Sequence, residues 1–318
     1  MNIWQSIRRH AEDNFILASL ILLILFFGFS SDNFFSVITL TTILNQLPAL
    51  TFVTVGMTLV LIVAGIDLSV GSVMGFCASV VGVAAVAWGL PLWMACLMGL
   101  GTGLICGAVN GLLVAYFSLP SFIVTLGMLE MARGLAYLTT GSQTVYIGSQ
   151  IQSLALPLPG IGVSAALISA IVLVITAQFV LTRTVLGRYL VAIGTNEQAA
   201  RMSGIDPRPY RLMVLAVSGA LAGIAGIFNA AYLGSADPNA GIGLELSAIA
   251  AAVIGGTSLM GGRGSIIGAF AGVLIIAVLQ NGLAQIGVSE PTKRLITGAV
   301  IIIAVLIDRW RAKHVSAS

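Results

Sequence analysis

The chain has 318 residues, of which 58% are hydrophobic and only 8% are charged. Because a soluble domain carries about 25% charged residues, this composition excludes a water-soluble globular protein and indicates a chain surrounded by lipid. The formal net charge of +3 gives no indication of a nucleic-acid partner.

Apolar runs of about 18 residues recur along the chain, and each is long enough to cross about 30 Å of hydrocarbon as an α-helix. They are rich in Leu, Ile, Gly and Ala, which suits closely packed helices rather than the alternating pattern of a β-barrel. We predict an all-α, polytopic membrane bundle of about ten transmembrane helices, forming one domain over residues 1–318. In chain order the predicted spans are residues 15–30, 47–64, 71–88, 92–115, 122–139, 164–182, 212–233, 245–261, 266–286 and 294–307.

The positions of Lys and Arg orient these spans. If the N-terminus is cytoplasmic, residues 1–14, the loop 183–211 and the tail 308–318 all lie inside the cell. These three regions hold ten of the 14 Lys and Arg residues, and Arg263, in the loop after the eighth span, makes eleven on the cytoplasmic side, as the positive-inside rule expects. Lys293 and Arg294, at the outer start of the tenth span, depart from the rule. We therefore predict that both termini are cytoplasmic.

The second and third spans are joined by the stretch LIVAGIDLSVGS, residues 61–72, which places one carboxylate in an apolar run. Because the span that ends at Ala64 already crosses the bilayer, we place Asp67 in a tight turn at its cytoplasmic end. There Asp67 can cap the third span by accepting hydrogen bonds from backbone N–H groups near Ser69 or Val70. The alternative is a role for Asp67 and Ser69 in an inner gate or a solute pathway.

Glycine recurs every four residues in two parts of the chain. The positions are Gly99, Gly103, Gly107 and Gly111 in the fourth span, and Gly264, Gly268 and Gly272 at the entry to the ninth. Small residues at this spacing let two helix backbones approach closely, so both ladders predict tight helix contacts rather than ligand sites.

Ionisable groups inside spans are candidates for function. Glu130 and Arg133 share a face of the fifth span, so they can form an ion pair or contact a passing solute. Glu245 enters the eighth span, where the helix dipole favours a first-turn carboxylate; docking of an external partner is the alternative. The neutral candidates for a solute pathway are the amides, each of which could instead bond a neighbouring helix: Asn45, Gln46, Asn110, Asn229, Gln280, Asn281 and Gln285.

The sequence offers no constellation for catalysis or metal binding. Cys77, Cys96 and Cys106 lie in apolar spans without metal-ligand spacing, and His10 and His314 lie in the terminal segments. We predict no catalytic site, metal or cofactor. Residues 140–163 carry no charge and are rich in Gly, Pro, Ser and Gln, which predicts an irregular extracytoplasmic surface available for docking.

The loop 183–211 contains start and stop signals for a short helix. Thr195 and Gln198 fit a capping box, Gly204 suits a left-handed helix end, and Pro207 prevents the helix from resuming. One interpretation is a surface helix that rests on lipid headgroups. However, the helix is short and rich in Ala, so we favour insertion into a groove on a partner protein.

Several stretches together resemble the permeases of ribose-type sugar importers, in the wider ATP-binding-cassette group that includes branched-chain amino-acid permeases. They are VGMTLVLIVAGIDLSVGS (55–72), LPSFIVTLGML (119–129), ARGLAYL (132–138), GRYLVAIGTNEQAARMSGI (187–205) and GIGLELSAIAAAVIGGTSLMGGRGS (241–265). The resemblance covers about residues 15–307. Ser247 is a departure, since the family usually has Asp at this position.

The resemblance implies a permease dimer in the bacterial inner membrane, with two cytoplasmic ATP-binding subunits and a periplasmic sugar-binding protein. It implies that the helix after Gly194 is the segment that contacts the ATP-binding subunit. The residues of this segment are Gly194, Thr195, Asn196, Glu197, Ala199, Ala200, Arg201 and Gly204. The chain contains no G-x-x-x-x-G-K-[ST] phosphate loop, so a partner is expected to hydrolyse ATP.

Two functional hypotheses follow. The first is a pore-forming subunit that imports a sugar; the expected substrate is a pentose or related small carbohydrate, with a signalling furanose or a polyol as alternatives. The alternative is an ion-coupled secondary transporter or channel, a class that usually places a carboxylate or a broken helix at mid-bilayer.

Overall fold

The computed structural model describes residues 3–158 and 163–315. These residues form thirteen α-helices and two short strands. The elements are α1 (Ile3–Ser30), α2 (Val37–Ile62), α3 (Val70–Val86), α4 (Leu92–Tyr116), α5 (Ser121–Thr140), β1 (Val145–Tyr146), α6 (Ser149–Gln152), α7 (Ala165–Arg183), α8 (Val185–Thr195), α9 (Glu197–Met202), α10 (Pro207–Leu233), β2 (Ser235–Ala236), α11 (Leu244–Ile254), α12 (Ile266–Gln285) and α13 (Glu290–Val315).

The helical fold is confirmed, and six of the described helices are long and apolar enough to cross a membrane: α2, α4, α5, α7, α10 and α12. Four shorter apolar helical segments are Ile16–Ser30, α3, α8 and α11. Most predicted spans coincide with a helix to within a few residues. The second span is an exception, since α2 begins at Val37, ten residues before the predicted start, where the Ser36 hydroxyl accepts a hydrogen bond from the Thr39 N–H.

The terminal and loop predictions are also changed by the structure. α1 extends over the described part of residues 1–14, and α13 continues through most of the predicted tail 308–318 to Val315. The loop 183–211 is largely helical, because α8, α9 and the first turn of α10 lie within it. In their described part, residues 140–163 contain the end of α5, β1, α6, turns and one isolated bridge, from Pro157 to Ser164. Residues 159–162, like residues 1–2 and 316–318, lie outside the described residues.

The prediction of a complete eighth helix over residues 245–261 is wrong. α11 has 11 residues and ends at Ile254, so it is about 17 Å long and reaches about half-way across a bilayer. Gly255 follows, and Gly256, Gly261 and Gly262 all have positive φ, which stops the helix and turns the chain back toward α12.

α10 lies at the centre of the bundle and packs against α2, α3 and α4. A Cβ atom at Gly103 would overlap the carbonyl oxygen of Gly219, and one at Gly219 would lie 2.7 Å from the Gly107 nitrogen. The second ladder acts likewise, because Gly268 and Gly272 face the backbone of α11. The predicted tight contacts are therefore confirmed for both ladders. Gly99 makes its contact with a different helix, since it packs on α3 through Val81, and Gly264 packs against the side chain of Ile62 in α2.

The bundle has two distinct ends. At one end β1 pairs with β2, the strand that directly follows α10. The pairing is antiparallel, with Val145 opposite Ala236 and Tyr146 opposite Ser235. We call this the sheet end. The opposite end carries α9, the turn between α2 and α3, and the turn between α11 and α12; we call it the α9 end.

Candidate functional site

The helix α9 begins with an asparagine cap. The Asn196 Oδ1 atom accepts a hydrogen bond from the Ala199 N–H at 3.0 Å. The prediction that Thr195 is the cap is wrong, because α8 continues through Thr195, whose hydroxyl donates to the Val191 carbonyl at 2.7 Å. The cap therefore lies one residue later than the sequence pattern suggested.

The end of α9 agrees with the predicted stop signals. The Ser203 N–H donates to the Ala199 and Ala200 carbonyls, and Gly204 has a φ of +83°. Pro207 is then the first residue of α10, and the preceding Asp206 caps that helix through the Arg208 N–H at 3.1 Å. The result is a helix of six residues with an independent start and stop.

Glu197 makes two ion pairs, one within α9 and one that joins α9 to α10. Its carboxylate accepts from Arg201 at 2.7 Å within α9 and from Arg211 at 2.6 Å across to α10. Partial burial raises the pKa of Glu197, but the hydrogen bonds and charges of Arg201 and Arg211 outweigh it and hold the pKa below its usual range. Because the pKa is lowered on folding, this stabilisation is present at neutral pH and is lost only as the pH falls through the lowered pKa.

The chain that leads into α9 is seated on the end of α2. A Cβ atom at Gly194 would overlap the Ile62 carbonyl oxygen and lie 2.6 Å from the Gly262 nitrogen. The Gly262 N–H in turn donates to the Ile62 carbonyl at 2.9 Å. Only a glycine allows this three-way contact, so α8, α2 and the turn before α12 are held together just before α9 begins.

Two large apolar side chains project from the α9 end. Met202, at the end of α9, is 90% exposed, and Met260, in the turn between α11 and α12, is 81% exposed. Buried Ala200 holds the opposite side of α9 against the bundle. Methionine adapts its shape to irregular surfaces, so this exposed pair suits contact with another protein.

A cavity of about 550 Å³ lies beside α9. Its apolar wall comes from the α2–α3 and α4–α5 turns, and its polar rim includes Glu197, Arg201, Arg208 and Arg211. Ala64 and Ser118, in these two turns, have φ values of +59° and +55°, which are uncommon for residues with a Cβ atom. The Ile66 N–H donates to the Ser121 hydroxyl at 3.0 Å, which ties the two turns together.

Asp67 is the acceptor of a buried polar network and is only 1% exposed. Its Oδ1 atom accepts from the Ser69 N–H at 3.1 Å and from the Ser69 hydroxyl at 2.6 Å. Its Oδ2 atom accepts from the Ser218 hydroxyl of α10 at 2.8 Å. The Asn110 amide of α4 donates to Ser69 Oγ at 3.0 Å, so the network joins α3, α4 and α10. The predicted bond from Asp67 to the start of the third span is confirmed; the gate role stays a prediction.

Replacing Asp67 by asparagine is expected to change the thermal stability of the purified chain in detergent only slightly, whereas alanine lowers it strongly. Asparagine keeps one oxygen for Ser69, and the Ser218 hydroxyl can rotate to accept from the new amide. Alanine leaves the Ser69 N–H and the hydroxyls of Ser69 and Ser218 without their acceptor. Each buried donor left unpaired lowers the stability by about 1–3 kcal/mol. An asparagine variant as unstable as the alanine variant would show that the turn requires the negative charge itself.

A second cavity, of about 570 Å³, opens toward the sheet end, and we call it the amide cavity. Among the predicted pathway residues that line it are Asn45, Gln46, Asn229 and Asn281. The Asn281 amide donates to Gln46 Oε1 at 3.0 Å across the α2–α12 contact. Gln280 also lines the cavity, whereas Gln285 instead donates to the Thr39 hydroxyl at 2.8 Å.

Sequence reasoning missed other residues of the amide cavity. Phe228 and Tyr232 add two aromatic rings to its wall, and Ser247 of α11 adds a hydroxyl. Phe228 and Tyr232 are four residues apart, a spacing that places them near one another on α10. Asn229 lies between them in the sequence. The cavity is also lined by Glu290, Lys293 and Arg294. Lys293 and Arg294, the two cations that depart from the positive-inside rule, therefore lie at the same cavity.

The predicted ion pair between Glu130 and Arg133 is wrong. The Arg133 Nη1 atom donates to the backbone carbonyls of Pro238 and Ala240, whereas Glu130 makes no ion pair among the described residues. Two carbonyls of the chain after β2, and not the Glu130 carboxylate, accept from the guanidinium. Glu245 lies in the first turn of α11, as predicted.

Comparison with known proteins is consistent with this geometry. Residues 39–305 match the family described as "Branched-chain amino acid transport system / permease component". The chain is 39% identical over 300 residues to the ribose import permease protein of Escherichia coli (strain K12), covering 92% of each chain.

Two further relatives have other named substrates. The fructose import permease protein of Rhizobium meliloti is 36% identical over 307 residues, covering 93% of this chain and 85% of that protein. The autoinducer 2 import system permease protein of Escherichia coli O157:H7 is 36% identical over 303 residues, covering 95% of this chain and 88% of that protein.

Proposed function

The chain belongs to the family of branched-chain amino acid transport system permease components, and from this membership we propose that it is the membrane-spanning permease subunit of an ATP-driven sugar importer. Its role is transport and not catalysis. The observation that carries the proposal is the capped helix α9, which presents Met202 to a partner at the α9 end of the bundle. Toward the sheet end, neutral amides line the amide cavity. The relatives named for ribose, fructose and autoinducer 2 favour a small sugar or related polar solute.

We assign the α9 end to the cytoplasm, which places the termini inside. Arg183, Arg188, Arg201, Arg208 and Arg211 all belong to the segment 183–211 at this end, in agreement with the positive-inside rule. The chain still crosses ten times, because the non-helical residues 236–243 followed by the half-length α11 replace the eighth helix. The setting is a bacterial inner membrane.

The partners follow from the same assignment. α9, with Glu197 and Arg201 holding its orientation, docks into a groove on a cytoplasmic ATP-binding subunit, and Gly194 transmits the motion of that subunit to α2. The uncharged segment 140–163, which contains β1, faces a periplasmic sugar-binding protein. A second permease subunit, identical or homologous, completes the pathway.

The amide cavity is the proposed sugar site. Hydroxyl groups of a sugar both donate and accept hydrogen bonds, and side-chain amides offer both functions at one position. Asn45, Gln46, Asn229 and Asn281 can therefore read several hydroxyls of one ring, and Tyr232 can contact its apolar face.

An ion-coupled transporter is the second candidate, because the non-helical chain beside the half-length α11 resembles the broken helices of that class. The test is uptake of D-ribose by vesicles that contain the chain, its ATP-binding subunit and its sugar-binding protein. We expect uptake to require ATP and both partners. Uptake that runs on a proton or sodium gradient without the ATP-binding subunit would favour the second candidate.

A further inference from the structure

Residues 236–243 cross the sheet-end half of the bundle without forming a helix. They lie in a groove along α3 that small residues create. A Cβ atom at Gly82 would lie 2.7 Å from Ala236 Cβ, and one at Gly75 would lie 2.7 Å from the Ala240 carbonyl oxygen. Non-helical backbone at membrane depth needs hydrogen-bond partners from the protein, because lipid offers none.

Arg133 of α5 supplies those partners. Its Nη1 atom reaches over Gly75 and donates to the carbonyls of Pro238 and Ala240, the latter at 3.0 Å. One turn further along α5, the Tyr137 hydroxyl donates to Asn239 Oδ1 at 2.7 Å. Three consecutive residues of this non-helical segment are thus held by two side chains of one helix.

The residues that follow form part of the amide cavity. Gly241, Ile242 and Gly243 line it, as do Leu244 and Ser247 of α11. Gly241 and Gly243 have φ values of +78° and +83°, so the chain turns sharply between the held residues and the helix. The position of this wall therefore depends on where residues 238–240 are fixed.

We propose that Arg133 is a positioning residue, which clamps residues 238–240 onto α3 and thereby fixes residues 241–247 as the wall of the amide cavity. The clamp itself follows from geometry alone; its effect on transport rests on the proposed function. A single cation suits this task because it donates to two neighbouring carbonyls at once, and a charged donor makes a stronger hydrogen bond than a neutral one.

Hydrogen–deuterium exchange of the purified full-length chain tests the clamp without any transport partner. In Arg133→Gln we expect the amides of residues 236–247 to exchange about tenfold faster than in the wild type, since a lost charged hydrogen bond corresponds to about one order of magnitude in an equilibrium. Arg133→Lys, which keeps a charged donor, should lie between the two. Thr140→Ala is the matched control, because Thr140 is on the same helix and its hydroxyl donates to the Ala136 carbonyl of that helix.

A second variant covers the case in which Arg133→Gln does not fold. Gly75→Ala adds a methyl group between the Ala240 carbonyl and Arg133 without removing the charge, so the same faster exchange is expected. Exchange at the wild-type rate in every folded variant would overturn the clamp.

Uptake of D-ribose provides the second measurement. In Arg133→Gln vesicles with both partners, we expect the sugar concentration at half-maximal uptake to rise about tenfold, with a smaller rise in Arg133→Lys. Faster exchange with an unchanged half-saturation would overturn the link between the clamp and the cavity. If the wild type carries no ribose under any energy source, the proposed substrate class fails, and the exchange rates still decide the clamp.

Discussion

Replacing Gly103 by valine is expected to lower the free energy of unfolding of the chain in detergent by about 3 kcal/mol or more, because the α4–α10 contact has no room for a side chain. A Cβ atom at Gly103 would overlap the Gly219 carbonyl oxygen and lie 3.1 Å from the Gly223 nitrogen. These neighbours are backbone atoms, which cannot rotate away, so the two helices must separate. In lipid that separation loses van der Waals contact that no hydrophobic effect restores.

Gly101→Val is the matched control, since Gly101 lies two residues earlier on α4 and a Cβ atom at this position would have no neighbour within 4 Å. Valine is a better helix former than glycine, so this variant should be neutral or slightly more stable. Thermal unfolding followed by intrinsic fluorescence, together with gel filtration, compares the two. Equal stability of both variants would show that the α4–α10 contact adapts to a larger residue.

Replacing Glu197 by arginine is expected to weaken co-purification with the ATP-binding subunit and to slow sugar uptake, while the membrane bundle remains folded. The change removes both ion pairs and places a third cation beside Arg201 and Arg211. Because these side chains are partly exposed, the cost is about 1–2 kcal/mol rather than the larger value of a buried pair. That cost corresponds to a loss of about fivefold to thirtyfold in affinity if binding requires the native orientation of α9.

Glu197→Gln separates the two effects of this change. Glutamine keeps one carbonyl acceptor and adds no repulsion, so we expect it to retain most of the assembly and a reduced rate of uptake. Pull-down with the tagged ATP-binding subunit and uptake in the same vesicles provide the measurements. An arginine variant that assembles and transports like the wild type would show that α9 does not couple the two subunits.

Where the sequence signal depends only on the local chain, it predicted the structure well. The stop at Gly204 and Pro207 and the bond from Asp67 to Ser69 need only a few neighbouring residues, and the structure shows both. The four-residue spacing of glycines similarly predicted tight contacts, since one helical face is defined by spacing alone. It could not show that Gly99 faces α3 while Gly103 faces α10.

The errors occur where the local rule competes with distant backbone. Thr195 fits a capping pattern, but the contact of Gly194 with Ile62 and Gly262 accompanies the continuation of α8 through Thr195, which moves the cap to Asn196. Glu130 and Arg133 fit an ion-pair spacing, but the carbonyls of Pro238 and Ala240, more than 100 residues away in sequence, take the guanidinium. The apolar run 245–261 is long enough for a span, yet the helix ends half-way, at the glycine pair 255–256.

The sequence by itself determined the membrane setting, the helical class and the short helix that a partner can recognise, because composition and capping act over a few residues. Only the tertiary structure decided which polar residues meet. Asn45, Asn229 and Asn281 come from three helices and share the amide cavity, whereas Asn110 joins the network of Asp67 instead. An amide carries the same chemistry at each of these positions, so its role depends on the helix that packs against it.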